Sequence, residues 1–330
     1  MKIGIDLGAL CGQRSGNNIF TINLINAINN KDKKNKYFLY SFCDIKSNIN
    51  LGKNFVFKNL QPKHFWISGA LALEQNIRTT DIFLGLNQEF PKSPAKKIIF
   101  SHGLSFHFFK NLYSENYKRL NSQLVKMSKS KEPIIVSSKK VKQEFQQIYG
   151  KSKNIKVLNF GVPYDFLKTA KVKKRKYFLN VGVNHPIKNI EFLIKNFNTF
   201  RKNVDRTYKL YIVTDKKYNN IKDKNVIQLT NVSRKRLKSL YLYSKAYLTA
   251  SFYESFNLPI LESLSQNTPV VALKGSFIPE MRKYISIARD ESSFVSEMKE
   301  ILVTNKNIDL KRLRKEFSWN KYVEELIKMY

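Results

Sequence analysis

Cysteine and glycine are both scarce in this sequence of 330 residues: two cysteines, Cys11 and Cys43, and 12 glycines. Neither cysteine has the close spacing of a zinc or redox motif, so a zinc-ribbon or dithiol centre is not expected. Free thiols in a reducing compartment are the expectation. Acidic residues are also few, 25 against 59 Lys and Arg, which leaves a net charge of +34. No apolar run approaches the roughly 20 residues that span a bilayer. Residues 2–7 open on a strand-like pattern rather than a charged-then-apolar leader, so secretion is not expected either. Zinc-finger, RNA-recognition and basic-zipper signatures are missing, and no specific nucleic-acid partner is expected.

With 42% hydrophobic and 13% aromatic residues, each half of the chain can build its own core, and the length suits two domains. Short β-branched or aromatic runs alternate with helix-length amphipathic segments. In the first half strands are predicted at 2–7, 37–42, 54–58, 81–86, 97–102, 133–137 and 155–160, and helices at 17–30, 65–78, 112–130 and 139–149. In the second half strands are predicted at 177–183, 208–214, 225–230, 246–250, 269–273 and 285–288, and helices at 189–202, 233–244, 258–266 and 292–304. Such alternation argues for α/β architecture, with parallel sheets covered by helices on both faces. A Lys/Arg-dense stretch at 162–176 separates two doubly wound halves. Ligands of such sheets bind beyond the carboxyl ends of the strands, where strand order reverses.

Residues 251–264, read as SFYESFNLPILESL, lie between two predicted strands. Pro259 sits where the first turn of a helix tolerates proline. The start of that helix would offer amide N–H groups and a positive dipole end to a diphosphate. Glu254 lies just before the helix and Glu262 inside it, placed to accept hydrogen bonds from several sugar hydroxyls. The eight-residue spacing is not informative alone, because Glu316 and Glu324 share it without a strand–loop–helix context.

The segment resembles the E-x7-E signature of retaining glycosyltransferases of the GT-B fold, most like glycosyltransferase family 4. Further blocks follow in order along nearly the whole chain. Gly4-Ile5-Asp6 with Gly12-Gln13-Arg14-Ser15-Gly16 resembles the family's first strand and glycine loop. Residues 98–105, containing His102, resemble its histidine loop. Residues 136–138 and 157–163 resemble the closing strands of its first domain. Residues 177–183 with Pro186-Ile187-Lys188-Asn189 are similar to the opening of its second, and Phe317-Ser318-Trp319 to the start of its last helix. The resemblance implies two Rossmann-like doubly wound parallel-sheet domains facing a central cleft. An acceptor-side domain would span 1–165, joined by a C-terminal helix at 317–330, and a donor domain would span 166–316.

The resemblance also implies roles. Glu254, His102 and Lys188 would be catalytic: Glu254 at the donor sugar or its phosphate, Lys188 at the leaving diphosphate, and His102 beside the transferred sugar, donating a hydrogen bond or helping to stabilise the reacting centre. Gly16, Gly182, Lys188, Ser255, Phe256, Asn257 and Leu258 would bind the donor, and Glu262 its ribose hydroxyls. The donor would be a UDP- or GDP-sugar and the acceptor a glycan or a lipid-linked glycan. No suitable DxD motif is present, so neither metal nor cofactor is expected. This sequence departs from the family at Ser255, Asn257, Val183, Gly103 and Asn18. Those departures keep a catalytically silent nucleotide-sugar-binding subunit in view, with a basic nucleic-acid binder as a further rival. The charge reads either as a surface for anionic partners or as coding bias, since Lys, Asn, Ile, Tyr and Phe are abundant together. The expected place is the cytoplasm, at the inner face of the membrane if the charge is functional. Residues 109–131 combine an apolar stripe with lysines and read as a helix packed on the first sheet, or as a membrane-docking helix.

Overall fold

The computed structural model describes all residues except 13–15, 46–50, 114–116, 151–153 and 305–307. The chain divides into two compact units, 1–160 with 319–330 and 161–318.

Unit 1 contains β1 (Lys2–Asp6), α1 (Gly16–Lys31), β2 (Lys36–Ser41), β3 (Phe55–Asn59), α2 (Ala70–Ile77), β4 (Ile82–Gly85), β5 (Lys96–Ser101), α3 (Ser105–Phe108), α4 (Tyr117–Lys129), β6 (Ile134–Val136), α5 (Lys139–Tyr149) and β7 (Ile155–Val157). Its seven strands are ordered β3-β2-β1-β4-β5-β6-β7. Every pairing is parallel, with Ile3 opposite Tyr37 on one side and Ile82 on the other. Unit 2 contains β8 (Tyr177–Val181), α6 (Ile190–Asn203), β9 (Lys209–Val213), β10 (Val226–Leu229), α7 (Arg234–Tyr243), β11 (Ala246–Thr249), α8 (Leu258–Ser265), β12 (Val270–Leu273), β13 (Ser286–Ala288), α9 (Glu291–Val303) and α10 (Leu310–Glu316). Its six parallel strands are ordered β10-β9-β8-β11-β12-β13. The last helix, α11 (Trp319–Ile327), belongs to unit 1.

Burial explains these strands. β4 and β11 are buried along their whole length, as expected of parallel strands covered on both faces, whereas the edge strand β3 has no fully buried residue. Helix starts are set by side-chain caps: Ser138 accepts from Val141 N–H, Ser233 from Arg236 N–H, and Asp290 forms a capping box with Ser293. α11 is held on unit 1 by Trp319, stacked on Phe160 at 6.0 Å, and by the Lys31–Glu324 and Lys156–Glu325 ion pairs.

Three expectations are corrected. Cys11 and Cys43 form a disulfide rather than free thiols. The parallel pairing of β1 with β2 brings the chain beyond both strands to one sheet edge, leaving the two Cα atoms 5.7 Å apart despite a sequence separation of 32. The helix predicted over 65–78 begins only at Ala70, after a turn in which Phe65 has φ 55°. The strand predicted over 155–160 stops at Val157. The helix predicted over 112–130 is represented by α4, where Leu124 and Met127 are buried and Tyr113, Tyr117 and Leu120 pack against the same core. Its apolar stripe is therefore spent inside the unit.

Candidate functional site

In each unit strand order reverses at one place, between β1 and β4 and between β8 and β11. The carboxyl ends of strands at such a reversal are where ligands of doubly wound sheets bind.

In unit 2 the chain leaves β8 at Gly182 and makes a 3-10 turn, Pro186–Lys188, before Asn189 enters a left-handed conformation and α6 begins. The Lys188 stem passes directly over Gly182. A Cβ there would lie 3.2 Å from Lys188 Cε and 3.3 Å from its Cδ, so glycine makes room for the lysine to cross. The chain leaving β11 meets this turn: Phe252 N–H donates to Ile187 O at 2.9 Å and Asn189 Nδ2 to Ala250 O at 3.2 Å. Lys188 Nζ reaches Glu254 Oε1 at 2.6 Å, and Ser251 Oγ donates to the same oxygen at 2.8 Å. Both charged side chains are largely buried, so their shared position is more tightly fixed than a surface pair would be.

Glu254 leads into Ser255, Phe256 and Asn257. Phe256 is buried against Phe317, with ring centroids 6.1 Å apart. Asn257 has φ 68° and ψ 68°, a conformation that asparagine tolerates better than most residues. Its side chain does not cap α8. It donates instead to Ser276 O at 2.7 Å and Thr249 Oγ1 at 3.3 Å, which pins the loop to β11. Asn257 therefore gives no side-chain cap to the positive end of α8 at Leu258, where Pro259 lies in the first turn.

Glu262 is only 3% exposed. Arg234, the first residue of α7, donates from Nη1 to Glu262 Oε1 at 2.6 Å and from Nε and Nη2 to Asp165 at 2.8 and 3.1 Å. The guanidinium also lies 4.5 Å from the Phe166 ring centroid. Burial alone would lower the Arg234 pKa, but Glu262 and Asp165 outweigh it and hold the guanidinium charged. Glu262 is thus neither an ordinary exposed helix residue nor an isolated buried charge. Sequence reasoning missed Arg234 and Asp165. The cap at Ser233 marks the start of α7, but no spacing signal points Arg234 at a glutamate 28 positions away.

In unit 1, Gly16 opens α1, while residues 13–15 of the glycine loop lie outside the described residues. Nothing stands within 4 Å of a Cβ built on Gly16, so the packing of the protein sets no requirement for glycine there. Phe20, one turn along α1, packs edge-on against the His102 ring at 4.9 Å. His102 Nε2 lies 2.5 Å from Leu86 O. Burial pushes the imidazole pKa down to about 4, against the opposing effect of that hydrogen bond. The ring is therefore neutral near pH 7, with its N–H directed to Leu86 and Nδ1 as the acceptor nitrogen.

Asp6, at the carboxyl end of β1, was not singled out from sequence. Its Oδ1 accepts from Gly8 N–H at 2.8 Å and from the Trp66 indole at 3.1 Å. Burial raises its pKa to about 6; the two hydrogen bonds oppose the rise and Glu89 adds to it. Among the described residues no group of three or more His, Cys, Asp or Glu is placed to hold a metal ion, and no helix is long and apolar enough to cross a membrane.

Comparison with known proteins places these features in context. Residues 164–286 match the family described as glycosyl transferases group 1. An O-antigen chain mannosyltransferase from Salmonella typhimurium is 33% identical over 198 residues, covering 54% of this chain and 53% of the relative. The match therefore spans about half the length of that curated relative. Among solved structures, sucrose-phosphate synthase from Thermosynechococcus elongatus superposes with a TM-score of 0.78 at 14% identity, covering 100% and 98% of the two chains. An Anabaena protein crystallised with UDP and glucose gives 0.71 at 14% identity over 99% of each chain. WaaG, a glycosyltransferase involved in lipopolysaccharide biosynthesis, gives 0.70 at 11% identity, covering 100% and 96%. These structural likenesses establish the fold, two parallel-sheet α/β domains of the GT-B type.

Proposed function

We propose that this chain is a glycosyltransferase of family 4 type that moves a hexose from a UDP- or GDP-sugar, with retention of configuration, to a glycan or lipid-linked acceptor in surface-polysaccharide biosynthesis. The family match over 164–286 and the mannosyltransferase relative support the reaction class, and the neighbour holding UDP and glucose supports the donor class. Unit 2 takes the donor and unit 1 the acceptor side.

The observation that carries this reading is the Lys188–Glu254 pair beside the loop that leads into α8, with Glu262 buried farther along the same helix. As the sugar–phosphate bond breaks, negative charge grows on the leaving nucleoside diphosphate. The Lys188 ammonium and the positive end of α8 stabilise it. Glu254 orients Lys188 and offers its carboxylate to the donor sugar, Glu262 takes ribose hydroxyls, and the backbone of 255–258 lies along the phosphates. Gly182 and Gly16 keep the approach to the donor open, and His102 accepts a hydrogen bond from a sugar hydroxyl at Nδ1. The acceptor hydroxyl attacks on the face the diphosphate leaves, its proton passing to a donor phosphate oxygen. Positive charge for the leaving group comes from the protein, so this reading includes no metal or cofactor.

The test is turnover of UDP- and GDP-hexoses, followed by release of nucleoside diphosphate and by NMR of the product's anomeric centre. Wild type is expected to give product with the donor's configuration, and Lys188→Ala and Glu262→Ala to lose nearly all turnover. Full turnover in both variants would refute the assignment. Ser255 and Asn257, which stand where the resembled family carries glycines, support a second reading, a donor-binding subunit without chemistry of its own. Nucleotide binding without transfer would select it.

A further inference from the structure

Arg234, the first residue of α7, and Glu262, one turn into α8, meet beside the 3-10 turn Tyr164–Phe166. The Glu262 side chain is 4% exposed, that of Arg234 27% and that of Asp165 45%, so the three run from the interior toward solvent. Arg234 does not treat its two acids alike. Its fork, Nε and Nη2, straddles Asp165, one nitrogen to each carboxylate oxygen, at 2.8 and 3.1 Å. Glu262 receives a single contact, from Nη1 to Oε1 at 2.6 Å. The paired contact is the more directional of the two, so Asp165 sets the plane of the guanidinium. Asp165 is itself held in place. Phe166, fully buried, lies against the guanidinium at 4.5 Å. Lys238 Nζ, on α7, donates to Asp165 O at 3.0 Å, and Gln266 Nε2, at the end of α8, to Phe166 O at 2.8 Å. The turn is thereby tied to both helices that carry the pair.

A glutamate side chain has three rotatable bonds with which to place two equivalent oxygens. Here Arg234 holds Oε1, and because its fork is engaged by Asp165 it does not close on both Glu262 oxygens. Two carboxylates share one guanidinium, so the trio keeps a net negative charge and Glu262 keeps room to accept hydroxyl protons. We propose that Asp165 and Arg234 are positioning residues: they aim the second Glu262 oxygen at the ribose of the bound nucleotide, and so make the site select ribonucleoside over 2′-deoxyribonucleoside diphosphates. The proposal rests on the donor site assigned above to unit 2, and adds to it the two residues that give Glu262 its direction. A site built around a ligand hydroxyl rejects the analogue that lacks it, provided its own acceptor is held in place. A carboxylate free to turn would accommodate either ligand, and selection would fade.

Calorimetric titration of the whole chain with UDP, GDP and their 2′-deoxy forms tests it. Wild type is expected to bind a ribonucleoside diphosphate about tenfold more tightly than its 2′-deoxy form. Arg234→Gln and Asp165→Asn are expected to narrow that ratio to about twofold or less, by weakening the ribonucleotide while the deoxy form stays within about twofold of its wild-type affinity. A merely structural role would weaken both nucleotides alike. An unchanged ratio in the folded variants therefore overturns the proposal and leaves the donor site standing. Should either variant fail to fold, Arg234→Lys decides. It keeps a positive charge beside Glu262 but lacks the fork, so a narrowed ratio supports the proposal and an unchanged one overturns it. A wild type that binds ribo and deoxy forms equally overturns it as well, and one that binds neither nucleotide removes the donor site with it.

Discussion

Beyond β8 and β11, unit 2 gathers opposite charges: Lys188 with Glu254, and Arg234 with both Asp165 and Glu262. Beyond β1 and β5, unit 1 instead shifts ionisable groups toward neutrality, Asp6 up to about 6 and His102 down to about 4, burial being the main cause in both. The two sheets share the same kind of strand-order reversal, so the scaffold does not dictate this contrast. What differs is whether a counter-ion folds in with each group. A paired charge can exchange one partner for a phosphate or a hydroxyl.

The contrast breaks most sharply at Lys188. Lys188→Ala is expected to lower kcat by about 100- to 1000-fold, the loss typical of removing a group that stabilises leaving-group charge, and to lower the melting temperature as well, because the largely buried Glu254 loses its counter-ion. A loss below about threefold would mean the unit 2 charges are structural only. Asp6 probes the other side. Its pKa is 3.8 unfolded and about 6 folded, so the folded state favours the neutral acid. That contribution is complete below pH 3.8 and is lost as pH rises through about 6, for a total of about 3 kcal/mol. Asp6→Asn can still accept from Gly8 and Trp66, and it should flatten this fall in denaturant titrations across that range. An unchanged pH profile would remove Asp6 from the comparison.

A smaller effect is expected from the Cys11–Cys43 bridge. Reduction, or Cys43→Ser, should cost unit 1 about 2 kcal/mol and lower its melting temperature by several degrees. Identical melts with and without reductant would show that the bridge contributes nothing. Smallest is Arg234→Gln, which keeps a hydrogen-bond donor near Glu262 but removes the charge. Nucleoside diphosphate affinity should weaken by only about three- to tenfold, by calorimetry. Tighter binding in this variant would show that Arg234 competes with the ligand.

Much of the fold was legible because fully buried parallel strands such as 82–85 and 246–249 read as short apolar runs between amphipathic stretches. Glu254 and Glu262 stood out through strand–loop–helix context, and Lys188 through the motif around it. Their partners did not, for a physical reason: Lys188 and Glu254 are 66 positions apart, and Arg234 and Glu262 28, so only strand pairing brings them together. The cysteines were misread for the same reason, their proximity arising from β1 pairing with β2. Residues 109–131 and 65–78 show the limit of amphipathic patterning. Periodicity reveals an apolar face, but the neighbouring chain decides whether that face is covered.

The central claim is that Lys188, Glu254, the start of α8 and Glu262 form a nucleoside diphosphate site. Calorimetric titration of UDP and GDP into wild type and Lys188→Ala tests it most directly. The account predicts saturable one-to-one binding of at least one nucleotide to wild type, weakened roughly tenfold or more by the substitution. Equal affinity in both proteins, or no binding of either nucleotide to wild type, would contradict it.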